Sequence, residues 1–189
     1  MKPNNKKILL TLIFFALVPL ACTLFVGGPE YPANPIPVST EALGNLENQL
    51  QAAQTAAAQS GVLSLNIDET QLTSLLAIKL DAQTGFALDD PQVYLRDNQV
   101  QVYGKAVQGN LSANVRIILN TSIDPQGQPV ISVTSADFGP FPAPEGLNSN
   151  ISKIIDQAFT GAFGPAAMGI RLESISIQNG ILTLTGRVK

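Results

Sequence analysis

The sequence predicts an α+β domain: a curved antiparallel β-meander and a C-terminal β-hairpin, packed by two or three amphipathic helices. Three observations predict this fold class. Apolar residues alternate with polar ones through most of residues 93–138, which is the period of a half-buried strand. They recur at helical spacing from Leu147 to Phe163. Near the C-terminus, Asn179-Gly180 separates two short runs rich in β-branched residues, as in a tight hairpin.

The N-terminal residues have the pattern of an export signal. Lys6 and Lys7 precede an apolar run from Ile8 to Leu20, and the small residue Ala21 follows. As a helix, roughly 13 apolar residues span about 20 Å, which is short of a bilayer. We therefore predict a signal peptide over residues 1–21.

Cys22 is the only cysteine of the chain. The segment Leu20-Ala21-Cys22 resembles the lipobox of bacterial lipoproteins, in which this cysteine is diacylated and becomes the first residue. Pro19 stands where an aliphatic residue is usual. The resemblance implies an extracytoplasmic protein, lipid-anchored to the cell membrane through Cys22, and two acyl chains suffice for stable attachment. An uncleaved N-terminal helix with a chance cysteine is the alternative.

The residues that follow are rich in proline. Pro29, Pro32, Pro35 and Pro37 favour an extended backbone that rises about 3 Å per residue. Residues 22–39 are therefore predicted to be a tether, and residues 40–189 a single domain.

Composition excludes several classes of function. Without Lys2, Lys6 and Lys7, eight basic residues face 14 acidic ones, which gives a net charge of −6 and disfavours nucleic-acid binding. Histidine is absent, so the commonest general base and zinc ligand is missing. We expect no enzymatic activity, no cofactor and no metal.

The remaining polar motifs have simpler explanations than chemistry. Asp68-Glu69 and Asp89-Asp90 could help to bind Ca²⁺, but no EF-hand spacing follows either pair, and helix-cap and turn roles are expected. Ser152-Lys153 lies on the polar face of a predicted helix and does not form an S-x-x-K motif.

Two helices are predicted in the first half of the domain. The first begins at Ser39 or Thr40 and ends at Gly61. A short strand from Val62 to Ile67 follows. Asp68 and Gln71 then form an approximate capping box for the second helix. The apolar positions of the two helices are Leu43, Leu46, Leu50, Ala53 and Ala57, and Leu72, Leu75, Leu76 and Leu80.

The meander follows. Strands 93–96 and 99–107 flank an Asp97-Asn98 turn, residues 111–123 form the longest strand, and residues 130–138 return beside it. In the longest strand we predict one buried and one solvated face. The buried face holds Leu111, Ala113, Val115, Ile117, Leu119, Thr121 and Ile123, and the solvated face holds Ser112, Asn114, Arg116, Asn120 and Ser122.

Phe138 and Phe141 lie beside prolines after the last meander strand. Two interpretations of these side chains remain open: they line the entrance of a ligand-binding pocket, or they form a corner of the hydrophobic core.

The order of these elements carries a family resemblance. The opening Ile67-Asp68-Glu69-Thr70-Gln71-Leu72, the meander, the late helix and the ending Leu182-Thr183-Leu184-Thr185-Gly186 are similar to a group of uncharacterised bacterial envelope proteins. In organisation these resemble half of a tubular lipid-binding domain, in which a helix and a rolled sheet enclose a groove for acyl chains. The likeness covers about residues 62–188 and implies binding of a lipid or other lipophile.

The expected groove lies between the helix 147–163 and the strand 111–123. The predicted ligand-binding residues are Leu111, Val115, Ile117, Leu119, Ile151, Ile154, Ile155, Phe159 and Phe163. The alternative is a structural or adaptor lipoprotein whose core is closed by its own side chains and which binds an unknown protein partner. Apolar periodicity is the same in both cases.

Overall fold

The structure is a computed structural model that describes residues 23–81, 88–143 and 169–188. Within these ranges it has two helices and eight strands, and the predicted α+β class is confirmed. The signal peptide, Cys22 and the predicted helix 147–163 lie outside the described residues. The elements are β1 (Leu24–Phe25), α1 (Thr40–Ser60), β2 (Val62–Asp68), α2 (Glu69–Asp81), β3 (Leu88–Arg96), β4 (Gln99–Gln108), β5 (Leu111–Ile123), β6 (Pro129–Asp137), β7 (Ile170–Gln178) and β8 (Ile181–Val188).

The larger sheet is built around β5. One edge of β5 pairs antiparallel with β4, which in turn pairs with β3. The other edge is shared: residues 116–123 pair with β6, and Leu111 and Ser112 pair in parallel with β1. A strand of 13 residues is long enough for two shorter partners to lie along one of its edges.

Irregular pairing accompanies the curl of this sheet. β3 has an extra residue between Asp89 and Gln92, and β6 has one opposite Ile118 and Leu119. Bulges bend a strand and increase its twist. The predicted turn at Asp89-Asp90 is this bulge in β3, with Asp90 at φ 50°, so the strand begins at Leu88 and not at Val93.

The smaller sheet contains β2, β8 and β7, in that order, all antiparallel. The predicted hairpin forms, with Asn179 and Gly180 in its turn, and the early strand β2 pairs with its second arm. Helix α1 packs on this sheet through a narrow stripe of small residues, as its alanines predict. The buried cluster consists of Ala53, Ala57, Leu63, Leu65, Ile170, Leu172 and Leu184.

The helix ends agree with the predicted boundaries. Ser39 Oγ accepts a hydrogen bond from the Ala42 N–H at 3.1 Å, and Gly61, at φ 75°, donates to the Ala57 carbonyl at 2.8 Å. The capping box also forms. Asp68 Oδ1 accepts from the Gln71 N–H at 2.8 Å, and Gln71 Oε1 accepts from the Asp68 N–H at 3.0 Å.

Helix α2 covers the open edge of the larger sheet. Thr73 Oγ1 accepts a hydrogen bond from the Val93 N–H at 2.9 Å, and Glu69 Oε1 accepts from the Leu95 N–H at 2.8 Å. These N–H groups point away from β4, so without the helix they would be free to pair with another chain. Thus α2 closes the edge of the sheet as well as contributing apolar side chains.

Candidate functional site

The predicted buried face of β5 is the centre of an apolar cluster. Val115, Ile117 and Leu119 are 0%, 2% and 5% exposed. They face the same side as the apolar residues of the neighbouring strands, and the predicted strand register is therefore confirmed. The buried members of the cluster are Leu88, Val93, Val102, Val115, Ile117, Leu119 and Phe138.

The other predicted ligand-binding residues do not all join this cluster. Leu111 is 40% exposed and lies at the end of the sheet beside Leu24. The residues that the sequence places on the late helix, Ile151, Ile154, Ile155, Phe159 and Phe163, lie outside the described ranges. The structure thus brings three of the nine predicted residues together.

Helix α2 covers one side of the cluster. Leu72, Leu76 and Leu80 recur every fourth residue and pack against it. The absence of a side chain at Gly104 admits the Leu88 side chain, which a Cβ at this position would strike. These contacts close the side of the inner face that lies nearest β3.

The far side of the cluster is formed by β6. Ile131 and Val133 pack against the cluster but are only partly buried. Adjacent strands are about 4.8 Å apart, so β5 and β6 lie roughly 10 to 15 Å from the β3 edge where α2 runs. A single helix about 10 Å wide does not span this width.

The position of Phe138 supports the interpretation that Phe138 and Phe141 form a corner of the hydrophobic core. Its side chain is 4% exposed within the cluster, and Phe141 packs against the same cluster. The Phe141 N–H donates to the Phe138 carbonyl at 3.2 Å, which closes the turn after β6.

Residues 23–39, here called the strap, are bound to the domain. After β1, the Gly27 carbonyl accepts from the Asn114 N–H at 2.9 Å. The strap then crosses the outer face of the sheet to the β3 edge, where the Ile36 N–H donates to the buried side chain of Gln92. At its end the Ser39 N–H donates to buried Ser74 Oγ at 2.9 Å. The strap is extended, as its prolines predict, but it is bound along the domain, which the prediction of a tether for residues 22–39 did not include.

The three tyrosines of the chain pack together where the middle of the strap meets the sheet. Tyr31 belongs to the strap, Tyr94 to β3 and Tyr103 to β4. Tyr31 and Tyr94 each pack edge-to-face on Tyr103, with ring centroids 6.5 and 5.7 Å apart. The Tyr31 hydroxyl donates to the Asp90 carbonyl at 2.6 Å, and the Tyr94 hydroxyl donates to the Asn34 carbonyl at 2.7 Å. Burial and the hydrogen bond to the Asp90 carboxylate, whose Oδ2 lies 3.0 Å from the Tyr31 hydroxyl, raise the pKa of Tyr31, and burial raises that of Tyr94. No motif in the sequence indicated this cluster.

A polar cleft of about 600 Å³ lies where the two sheets meet. It is lined by the β3–β4 and β7–β8 turns and by Glu69 and Arg96. The carboxylate of Glu69 and the guanidinium of Arg96 form a bidentate ion pair. Asn98 Oδ1 accepts a hydrogen bond from the Ile177 N–H at 3.3 Å and thereby joins the β3–β4 turn to β7. Because Glu69 also accepts from the Leu95 N–H, this charge pair has a structural role.

Two further observations concern the described residues alone. Nowhere in residues 23–81, 88–143 and 169–188 do three His, Cys, Asp or Glu side chains lie together so that they could hold a metal ion. Neither α1 nor α2 is long and apolar enough to cross a membrane.

The protein was compared with known families, curated proteins and solved structures. No family model matches the chain, and no curated protein or solved structure is significantly similar to it.

Proposed function

We propose that the protein is an extracytoplasmic lipoprotein, held on a membrane through lipidated Cys22, that binds a lipid or similar lipophile. The ligand contacts the inner face of the larger sheet near β5 and β6. The observation that carries the proposal is the width of this apolar face. Apolar side chains extend inward from β3, β4, β5 and β6, whereas α2 lies along β3.

An acyl chain suits such a surface. A strip of aliphatic side chains offers dispersion contacts and removal of apolar area from water, with no requirement for a polar group. Ile131 and Val133 on β6, which are only partly buried, supply side chains of this kind. From the sequence alone, the apolar residues predicted for the helix 147–163 are proposed as further members of this site.

A closed-core adaptor is the second candidate. It is favoured by the near-complete burial of Val115 and Ile117, at 0% and 2% exposed. In that case the cluster is a packed core, and the protein acts through a surface that contacts a protein partner.

Val133→Phe is expected to separate these two candidates. Val133 pairs with Leu119 and faces inward, where a larger ring occupies the space proposed for an acyl chain. The binding of a fluorescent fatty acid by the delipidated chain from Thr23 onward should weaken about tenfold or more, with little loss of stability. In a filled core, the same ring costs about 1 to 3 kcal/mol of stability.

Val130→Phe is the matched control. It lies on the same strand, faces the other side of the sheet and is 43% exposed. It should change neither binding nor stability. A delipidated wild-type chain that binds no probe at micromolar concentration would favour the adaptor.

Cys22→Ala should remove the attachment to the membrane. Without the thiol no acyl chain can be added, so radiolabelled palmitate should enter the wild-type chain and not the variant. Fractionation should find the variant either released or retained with its signal uncleaved. Equal labelling of both chains would contradict the lipoprotein assignment.

A further inference from the structure

Four apolar side chains are exposed at one end of the larger sheet. Leu24 and Phe25 of β1 are 64% and 56% exposed, and Leu111 of β5 and Val107 of β4 are 40% and 37% exposed. We call this group the apolar sheet end.

Strand pairing brings these residues together on both faces of the sheet. Leu24 pairs with Leu111, so these side chains share the inner face. Phe25 and Val107 both pair with Ser112, so they share the outer face. Each face therefore carries two exposed apolar side chains, and the residues paired with them, Gln108 on the inner face and Ser112 on the outer face, are polar but uncharged.

The two chain segments that form the apolar sheet end contain no charged residue. Residues 23–29 and 106–112 contain no Asp, Glu, Lys or Arg. Burial of these two segments in an apolar medium therefore desolvates no ionised side chain of their own, and such desolvation is the largest cost of this transfer.

Three exposed apolar residues of the smaller sheet have different surroundings. Val62 pairs with Arg187, Val188 is the next residue after Arg187, and Ile181 pairs with Asp68. Charged groups next to these residues oppose their burial.

The apolar sheet end lies beside the proposed anchor. Two peptide units join Cys22 to Leu24, and they span at most about 7 Å. Leu24 is held in place, because its N–H donates to the Asn110 carbonyl at 2.7 Å and the Val26 N–H donates to the Ser112 carbonyl at 2.9 Å. No slack chain separates the lipidated residue from the folded domain.

We propose that the apolar sheet end is a membrane-contact surface that inserts into the interfacial region of the bilayer. The inference rests on the proposed lipid anchor at Cys22 and adds an orientation to it. The domain is oriented with this end of the sheet toward the bilayer. In this orientation the side chains of Leu24, Phe25, Val107 and Leu111 lie among the lipids. The strap then directs the chain away from the bilayer along the outer face.

The absence of tryptophan from the chain permits a direct test. Phe25→Trp and Leu24→Trp each place a single indole at the apolar sheet end, and Val62→Trp is the control, at a residue 47% exposed on the smaller sheet. The full chain is reconstituted in phosphatidylcholine–phosphatidylglycerol vesicles that contain brominated phosphatidylcholine. We expect a blue-shifted, bromine-quenched emission for positions 24 and 25 and an unshifted, unquenched emission for position 62.

A second version of the experiment tests the contact surface independently of whether Cys22 is lipidated in cells. The chain that begins at Cys22 is coupled through its thiol to a maleimide lipid in the same vesicles, which makes attachment independent of processing in a cell. Quenching at positions 24 and 25 in this arm supports the contact surface even if Cys22 is not lipidated in cells. Equal quenching at positions 25 and 62, or none at 24 and 25, overturns it.

Discussion

Ile117→Asp should lower the stability of the domain more than any other change considered for the larger sheet. Ile117 is 2% exposed between apolar neighbours on the central strand. A carboxylate there has no partner, so it stays desolvated or takes up a proton, and either outcome costs several kcal/mol. We expect a loss of about 3 to 5 kcal/mol and a melting temperature lower by about 10 °C or more. Thermal unfolding followed by circular dichroism measures this.

Asn120→Asp is the matched control. It introduces the same charge on the same strand, but Asn120 is exposed and faces outward. Gln99 Nε2 donates to Asn120 Oδ1 at 2.9 Å, and an aspartate can accept the same hydrogen bond. Its melting temperature should stay close to that of the wild type. A larger loss for Asn120→Asp than for Ile117→Asp would mean that the two faces of β5 are exchanged, because a shift of one residue reverses them.

The sequence predicted β5 well because one of its faces is buried over many residues. Alternation repeated from Ala113 to Leu119 fixes which side chains point inward, and no other register keeps all of them from water. Helix ends were predicted for a different reason. Their hydrogen bonds join residues three or four apart, as between Asp68 and Gln71, so the pattern that makes them is local.

The bound strap could not be predicted in the same way. A proline-rich run has neither helical nor strand periodicity, and its conformation alone does not tell whether it is bound or free. Its partners are distant in sequence: Asn114 Nδ2 reaches the Pro29 carbonyl across 85 residues, and Gln92 receives the Ile36 N–H across 56. Asn114 was therefore assigned to the solvated face of β5, although the strap covers it.

The candidate site was predicted in part, for a physical reason. Val115, Ile117 and Leu119 were identified because an apolar residue on a half-buried strand must be covered. What covers it does not change the pattern, so a helix, a lipid and a neighbouring strand all favour the same side chains. Leu111 fits the same alternation, but it lies four residues before Val115, the nearest buried member of the cluster on β5, where the sheet ends.

The strap connects three parts of the molecule. It begins beside the proposed anchor at Leu24, passes the tyrosine cluster, and ends at Ser39, which caps α1 and donates its N–H to Ser74 of α2. Since α2 covers one side of the apolar cluster, the strap is a continuous backbone connection from the proposed anchor to the cover of the candidate site, to which its far end is hydrogen-bonded at Ser39.

Gly28→Ala should release the first part of the strap from β5. A Cβ at Gly28 would overlap the backbone carbonyl of Asn114, and β5 cannot move aside because both of its edges are paired. Release breaks the hydrogen bonds from the Leu24, Val26 and Asn114 N–H groups. At about 1 kcal/mol for each bond, we expect a local loss of roughly 3 kcal/mol. Amide hydrogen exchange at Asn114 should become at least about tenfold faster.

Gly27→Ala isolates the effect of the clash. Gly27 and Gly28 both have positive φ, at 105° and 117°, so alanine carries a conformational cost at either position. No atom lies within 4 Å of a Cβ built at Gly27, so only the Gly28 variant meets the Asn114 backbone. The exchange rate of the Asn114 amide should therefore stay much closer to that of the wild type in Gly27→Ala. Equal acceleration in both variants would show that backbone strain, and not close approach to β5, decides whether the strap is bound.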